Sequence, residues 1–442
     1  MNKTTGNTLI LRILILLLSA GLTAATLRAQ PQRATPEQWR SDIDYVATEL
    51  PKSHPNPFAH TTLAAFQEQL DALKQDVPQL TDAGIAIRLQ QAVATMDDAH
   101  TEVDTRISPT TYYPLRVDFF SDGFYVTRTL AEAKPACGAK LVAIDGIGMD
   151  EVLARMATVI SHENEPWLLA RAPVAIARAE VLEALGITLL SDRAMFTFEN
   201  GGMRFDLELH PVGLQDANAI FSPPASTDGW PLYVQSPRQW YSWDAARGLM
   251  YVKYNACRED FGRPFATFAK EILAIADHNL VTNFVVDVRN NSGGNSSVAQ
   301  PLIDGIRQRT QLRGRTWVII GRETFSSGLL NALDLSNTGC KVVGESTGGK
   351  PNAYGEVVSF KLPNSGITVF HSTRYFNMVP GDPPSMDPTV AVAIAASDFF
   401  SRRDPVRESI TNPQGVQGAL SIPGPANRRR SAARGDVRSC PE

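Results

Sequence analysis

Cysteine is scarce in this chain and never closely paired: the 442 residues hold four, Cys137, Cys257, Cys340 and Cys440, with no C-x-x-C. That spacing argues against a zinc ribbon and against thioredoxin-type redox chemistry. Three full disulfide pairings are open, and the sequence selects none. Excess basic charge is also missing. Lys and Arg number 42 against 46 Asp and Glu, for a formal net charge of −4, so no cationic surface for nucleic acid is implied. Even the apolar stretch from Ile13 to Leu18 and on to Leu22 is too short to span a bilayer. The serine at 326, in T-x-S-x-G, has no glycine two residues before it, which weakens any reading as a nucleophile elbow of the α/β-hydrolase kind.

What is present begins with a targeting segment. Lys3 and Arg12 flank or interrupt the short apolar stretch, small residues follow it, and cleavage after Ala25 or Ala29 fits equally, so residues 1–29 read as a signal peptide. An uncleaved anchor is the alternative. Removing Lys3, Arg12 and Arg28 with no acidic residue takes the net charge from −4 to −7. The expectation is an exported chain, periplasmic or secreted, with no stable membrane insertion after cleavage. The 43% apolar content suits two or three domains.

Chemistry concentrates in residues 284–350. The run FVVDVRNNSGG (284–294) is apolar and β-branched, then closes in polar turn residues and two glycines, the pattern of a buried parallel strand followed by a turn with exposed backbone NH groups. A second apolar run, Trp317 to Ile320, leads to Ser326 and into LLNALDL, a helix ended by Asn337 and Gly339. Ser326 therefore sits where a strand-to-helix turn delivers a residue. A third short strand, Lys341 to Gly344, ends in a loop carrying Lys350. A serine needs a base to become nucleophilic, and a helix start offers free NH groups to a developing oxyanion. Gly293 or Gly294 adds a second donor, since a residue without Cβ lets backbone approach substrate. Lysine is a base only where burial lowers its pKa. The plain alternative is a serine N-cap, an ordinary Gly-Gly turn and a solvated lysine.

The order D-x-R-N-x-x-G-G (287–294), T-x-S (324–326) and V-V-G-E-x-T-x-G-K (342–350) resembles the tail-specific, or carboxy-terminal processing, serine protease family, whose relatives include the core of the tricorn protease. The resemblance implies an α/β crotonase-like core with a helical N-terminal domain and a PDZ-like β-rich insert. It makes Ser326 the nucleophile, with the Gly293–Gly294 turn and the Ser327 NH as oxyanion hole. Lys350 is the base of the tail-specific branch. His100, in Asp-Asp-Ala-His-Thr (97–101) at the end of the helical part, is the rival base of tricorn-like members. The family's S-A-S-E is here Ser326, Ser327, Gly328 and Leu329, and Pro351 replaces the usual glycine after the lysine. The implied substrate is a peptide or protein, and no metal or cofactor is required.

Along the chain, residues 30–110 read as helical, with a helix begun at Pro36 to Trp39 that sets Asp42, Ile43, Val46 and Leu50 at helical spacing and another begun at Thr81 and Asp82. Residues 111–212 alternate like strands around the turn at 121–123 and carry an amphipathic helix from Met149, as in a PDZ-like insert. Residues 213–400 are expected as the crotonase-like catalytic core that the resemblance implies, opening with a Pro-, Ser- and Trp-rich stretch to 247 expected as a covering loop. The Arg-, Pro- and Gly-rich residues 401–442 read as a disordered tail. The expected function is an exported serine-type peptidase working through an acyl-enzyme on Ser326. Alternatives are a non-catalytic ligand- or peptide-binding homologue, since the family's relatives include retinoid-binding proteins, and an esterase or lactonase using the same serine.

Overall fold

The computed structural model describes residues 34–222 and 229–412. The expected signal peptide and the end of the expected tail lie outside the described residues. The fold is mixed α/β, built on a central six-stranded sheet. Its strands run, in spatial order, Gln239–Asp244, Leu249–Tyr254, Asn283–Asp287, Thr316–Ile320, Lys341–Gly344 and Val390–Ala391. All neighbours are parallel except the first pair. Both faces of its inner strands are covered, which is why those strands are mainly apolar runs rather than alternating ones. One face packs Val252, Phe284, Val286 and Val318 against the helices Phe265–His278, Gln300–Gln308 and Ser327–Ser336. The other packs Tyr251, Val285, Ile319 and Val343 against Phe120, Val392, Val406 and Ile410.

Three helices, Pro36–Ser53, Leu63–Asp76 and Asp82–Ala94, form the N-terminal part. Thr35, Thr62 and Thr81 each cap one of them by accepting a backbone NH. Their shared core, including Trp39, Ile43, Leu50, Phe66 and Leu89, also takes in Leu362 and Val369 from the hairpin Asn352–Lys361/Thr368–Asn377, a long pair of antiparallel strands. The hairpin thus joins the helical part to the core. The insert is a sheet of Leu115–Phe120, Gly123–Thr129, Lys140–Ile144, Ala194–Asn200 and Met203–Leu209, with the helices Met149–Ala157, Glu165–Ile176 and Ala179–Ala184.

Two expectations are corrected. Residues 213–247 are not simply a covering loop. Leu214–Phe221 is helical, and Gln239–Asp244 adds to the sheet edge. Their periods are hidden because the helix is short and the edge strand carries its Trp and Tyr half-exposed. The expected tail also starts too early, since Pro405–Thr411 is a helix capped by Asp404. Asp404 is buried and receives two hydrogen bonds from Arg289, each of 3.0 Å. A buried long-range ion pair, together with the Asp404 cap and the packing of Val406 and Ile410, orders this piece. Among the described residues no helix is long and apolar enough to cross a membrane. Cys137 is disulfide-bonded, whereas Cys257 and Cys340 are free thiols.

Candidate active site

Ser326 lies at the junction of the strand Thr316–Ile320 and the helix Ser327–Ser336, with φ 50° and ψ −128°. A non-glycine residue in that region is strained, and it persists because its neighbours fix it. Phe325 NH is bonded to the Asn291 carbonyl, and Thr324 Oγ1 donates to the Val288 carbonyl and accepts the Gly321 NH. Gly328 packs so closely on Asn291 that a Cβ there would lie 2.2 Å from the Asn291 oxygen. The Ser326 side chain, although at a helix N-cap, caps nothing. Its hydroxyl is left available.

The glycine turn stands directly beside it. Gly293, at φ +112°, approaches so near that an added Cβ would sit 2.8 Å from Ser326 Cβ and 3.1 Å from Ser327 N. At Gly294, φ +133°, a Cβ would strike the Cys257 carbonyl at 2.2 Å. The two glycine NH groups differ in their engagement. Gly293 NH donates to Asn291 Oδ1 at 3.0 Å, while among the described residues no hydrogen bond takes the NH of Gly294 or of Ser327. Ser327 Oγ donates to the Gly294 carbonyl at 2.7 Å, which ties turn and helix start together. Asn291 organises the whole piece, since its Nδ2 also donates to the Tyr254 carbonyl and its Oδ1 receives the Cys257 thiol.

His100 reaches the same place from the helical part. Its ring stacks on Phe325 with centroids 4.4 Å apart, and Phe325 stacks in turn on Trp167 at 3.9 Å and 12°. Both ring nitrogens of His100 are buried without a hydrogen bond. Burial pushes the pKa of this histidine down, against the Asp98 carboxylate and the Tyr354 carbonyl, which lies near the ring without meeting hydrogen-bond geometry. The imidazole is therefore held neutral at pH 7, the form a base requires. Asp98 faces His100 Nδ1 at 3.8 Å, too far for a hydrogen bond. It accepts instead the His100 backbone NH, the Thr101 hydroxyl and His54 Nε2 at 2.9 Å. Burial pushes the Asp98 carboxyl up, but the His54 bond, the charge that His100 carries only at the low pH where Asp98 titrates, and the Thr101 hydroxyl prevail and hold it at about 2.

Lys350 is placed differently. Its Nζ pairs with Asp382 at 2.8 Å, in a loop fixed by Gly349 NH on the Thr324 carbonyl. Its surroundings are acidic rather than apolar, with the buried Glu163 also close enough to act on it. Burial raises the Glu163 pKa well above the usual carboxylate range, and Asp98 adds to the rise. Sequence reading missed Trp167, Glu163, Asn291 and His54. Asn291 lies inside the D-x-R-N-x-x-G-G stretch, two residues before the glycines, where a polar side chain that ties down the turn is a readable signal; the other three carry no local signal.

The rest of that stretch is structural. Asp287, fully buried, receives Lys253, Tyr251 and Arg289, and Arg289 continues to Asp404. Burial pushes the Asp287 carboxyl up, but Arg289 and Lys253 outweigh it and hold it at about 2. No group of three or more metal-ligating side chains occurs among the described residues. A cleft of about 670 Å³, walled by Arg116, Phe119, Arg128, Tyr233, Arg322 and Glu323, opens at the carboxyl ends of the parallel strands, and neither Ser326 nor His100 lines it.

No known family model matches the sequence, and no curated protein matches it. Solved structures do. Mature CPAF complexed with lactacystin aligns at a TM-score of 0.59 and 14% identity, over 86% of this chain and 99% of that one. A CPAF mutant aligns at 0.60 and 12%, over 88% and 99%. The chain shares the fold of CPAF. Identities this low speak for the fold alone. The photosystem II D1 C-terminal processing protease covers 88% of the chain and 99% of its own at 13% identity, but its TM-score of 0.38 carries no weight.

Proposed function

We propose that the chain is an exported serine peptidase that cleaves peptide or protein substrates through an acyl-enzyme on Ser326. The observation that carries this reading is the strained Ser326, its side chain free of any cap bond and packed beside the Gly293–Gly294 turn, with a neutral, buried histidine stacked on the adjacent residue. His100 takes the Ser326 hydroxyl proton as Oγ attacks the peptide carbonyl carbon. The Gly294 and Ser327 NH groups hold the resulting oxyanion, each worth about 10²–10³ in rate by analogy with other such donors. The protonated His100 then gives its proton to the leaving amine, and water, deprotonated by the same ring, releases the acyl group. Gly293 contributes closeness rather than a donor.

His100 is favoured over Lys350 as base because its ring nitrogens are unengaged, whereas the lysine ammonium is paired with Asp382. Lys350 then holds its loop in place. The core is read as crotonase-like and the insert as PDZ-like, binding the free carboxylate of a substrate C-terminus; peptides with an amidated end are then cut more slowly than free acids. Export agrees with the disulfide at Cys137, a bond that persists in oxidising compartments. The test is turnover of casein by the wild-type protein and by Ser326→Ala. Hydrolysis lost in a folded variant supports the reading, and hydrolysis retained overturns it.

A further inference from the structure

Residues 159–167, within the insert, link the helical part to the residue next to the nucleophile. Gln90 Nε2 donates to the Val159 carbonyl and to Ser161 Oγ, and Ser161 Oγ donates to the Thr101 carbonyl, next to His100. Asn164 then does two things at once. Its Oδ1 accepts the Trp167 NH at 2.9 Å and so starts the helix Glu165–Ile176. Its Nδ2 lies within hydrogen-bond reach of the Thr347 carbonyl at 3.1 Å, the Pro384 carbonyl at 2.8 Å and Ser385 Oγ at 3.0 Å, with its two protons shared among the three. One amide thus joins the first turn of an insert helix to two separate loops of the core.

What lies at each end of that amide gives the contact its importance. Trp167 is the outer plate of the stack that continues through Phe325 to His100. Thr347 begins the loop to Lys350, and a Cβ on Gly348 would lie 2.1 Å from the Arg322 carbonyl and 2.8 Å from Trp167 Cε3. The loop is therefore clamped between the tryptophan and the strand end that leads to Ser326. Thr347 Oγ1 also donates to the Gly349 carbonyl and accepts the Met386 NH. A shift of Asn164 moves tryptophan and loop together.

On the reading of Ser326 as nucleophile, we propose that Asn164 is a positioning residue for the reaction. Its amide locks the Thr347–Lys350 loop and the 384–385 segment to the helix that carries Trp167, and through the aromatic stack it sets the His100 ring against Ser326. The insert is then part of the active centre and not merely an appended substrate-binding module. A residue acting this way changes the chemical step more than binding, because misplacing a catalytic group by about 1 Å costs about 10²-fold in rate.

Asn164→Ser separates the two roles. Serine still caps the helix but is too short to reach the three acceptors, while Asn164→Ala removes cap and tie together. The measurements are kcat and KM on quenched fluorescent casein, the second-order rate of fluorophosphonate labelling, and the melting curve. The expected result for Asn164→Ser is a near wild-type melt, KM within about twofold, and kcat and labelling rate lowered in parallel by about 10²-fold. Wild-type kcat and labelling in a folded Asn164→Ser protein overturn the proposal, as does a change confined to KM. Should both variants fail to fold, Ser385→Ala removes one acceptor only: a smaller fall in kcat supports the proposal, and unchanged kcat overturns it. If the wild-type protein itself takes no label, the reading of Ser326 falls and this proposal with it.

Discussion

Gly293→Ala probes the site at its most crowded point. The position has φ +112°, and an alanine Cβ would come within 2.8 Å of Ser326 Cβ, 3.1 Å of Ser327 N and 3.3 Å of the Phe325 carbonyl. None of these is the loose end of a flexible side chain. The backbone must leave its region or the nucleophile must move, and a non-glycine residue kept in such a region costs of order 1–3 kcal/mol. Because Gly293 NH is already bonded to Asn291 Oδ1, the change removes no oxyanion donor directly. Its kinetic effect comes from displacement of Ser326 and the Ser327 NH, for which about 10²-fold is the scale. Urea unfolding reads the stability term, and the rate of fluorophosphonate labelling reads the kinetic one. Expected is a folded protein less stable by about 1–3 kcal/mol and labelled about 10²-fold more slowly. Labelling at the wild-type rate refutes the placement of Gly293 against the nucleophile.

Asp404→Ala leaves the buried Arg289 with only Asp287, and breaking a buried pair of this kind costs about 3–5 kcal/mol in chemical denaturation; a change below about 1 kcal/mol contradicts the anchoring role. The Asp98 carboxyl is held at about 2 from an ordinary 3.8, so its contribution is fully present above pH 4 and is lost as pH falls toward 2. That amounts to roughly 2 kcal/mol, and Asp98→Asn flattens the stability curve over that window; an unchanged slope contradicts the buried carboxylate's role. Burial depresses the His100 pKa, so the acid limb of kcat/KM falls below the ordinary histidine value of 6.5. A limb above 6.5 contradicts the buried, neutral ring. His100→Ala abolishes turnover while Lys350→Ala keeps a folded enzyme with reduced but measurable rate; the reverse pattern makes the lysine the base.

The parts of the site legible in the sequence are those built from neighbours in the chain. The apolar strand closing in Gly293–Gly294 and the strand-to-helix turn at Ser326 are local patterns, and both stand where periodicity set them. His100 stood out only by family resemblance; what brings it to Phe325 is a helical domain and a hairpin more than two hundred residues apart in sequence. Trp167 and Asn164 gave no signal, since a tryptophan near a helix start is ordinary core and an asparagine there an ordinary cap. The tail was misread for a related reason. Arg- and Pro-rich composition conceals a short helix when an ion pair to Arg289, 115 residues upstream, helps to order it.

The central claim is that Ser326 is an activated nucleophile, and fluorophosphonate labelling followed by peptide mass mapping tests it most directly. Expected is one adduct, on Ser326, formed rapidly in the wild-type protein, slowly in His100→Ala and not at all in Ser326→Ala. No adduct on the folded wild-type protein, or an adduct on another residue that persists in Ser326→Ala, contradicts it.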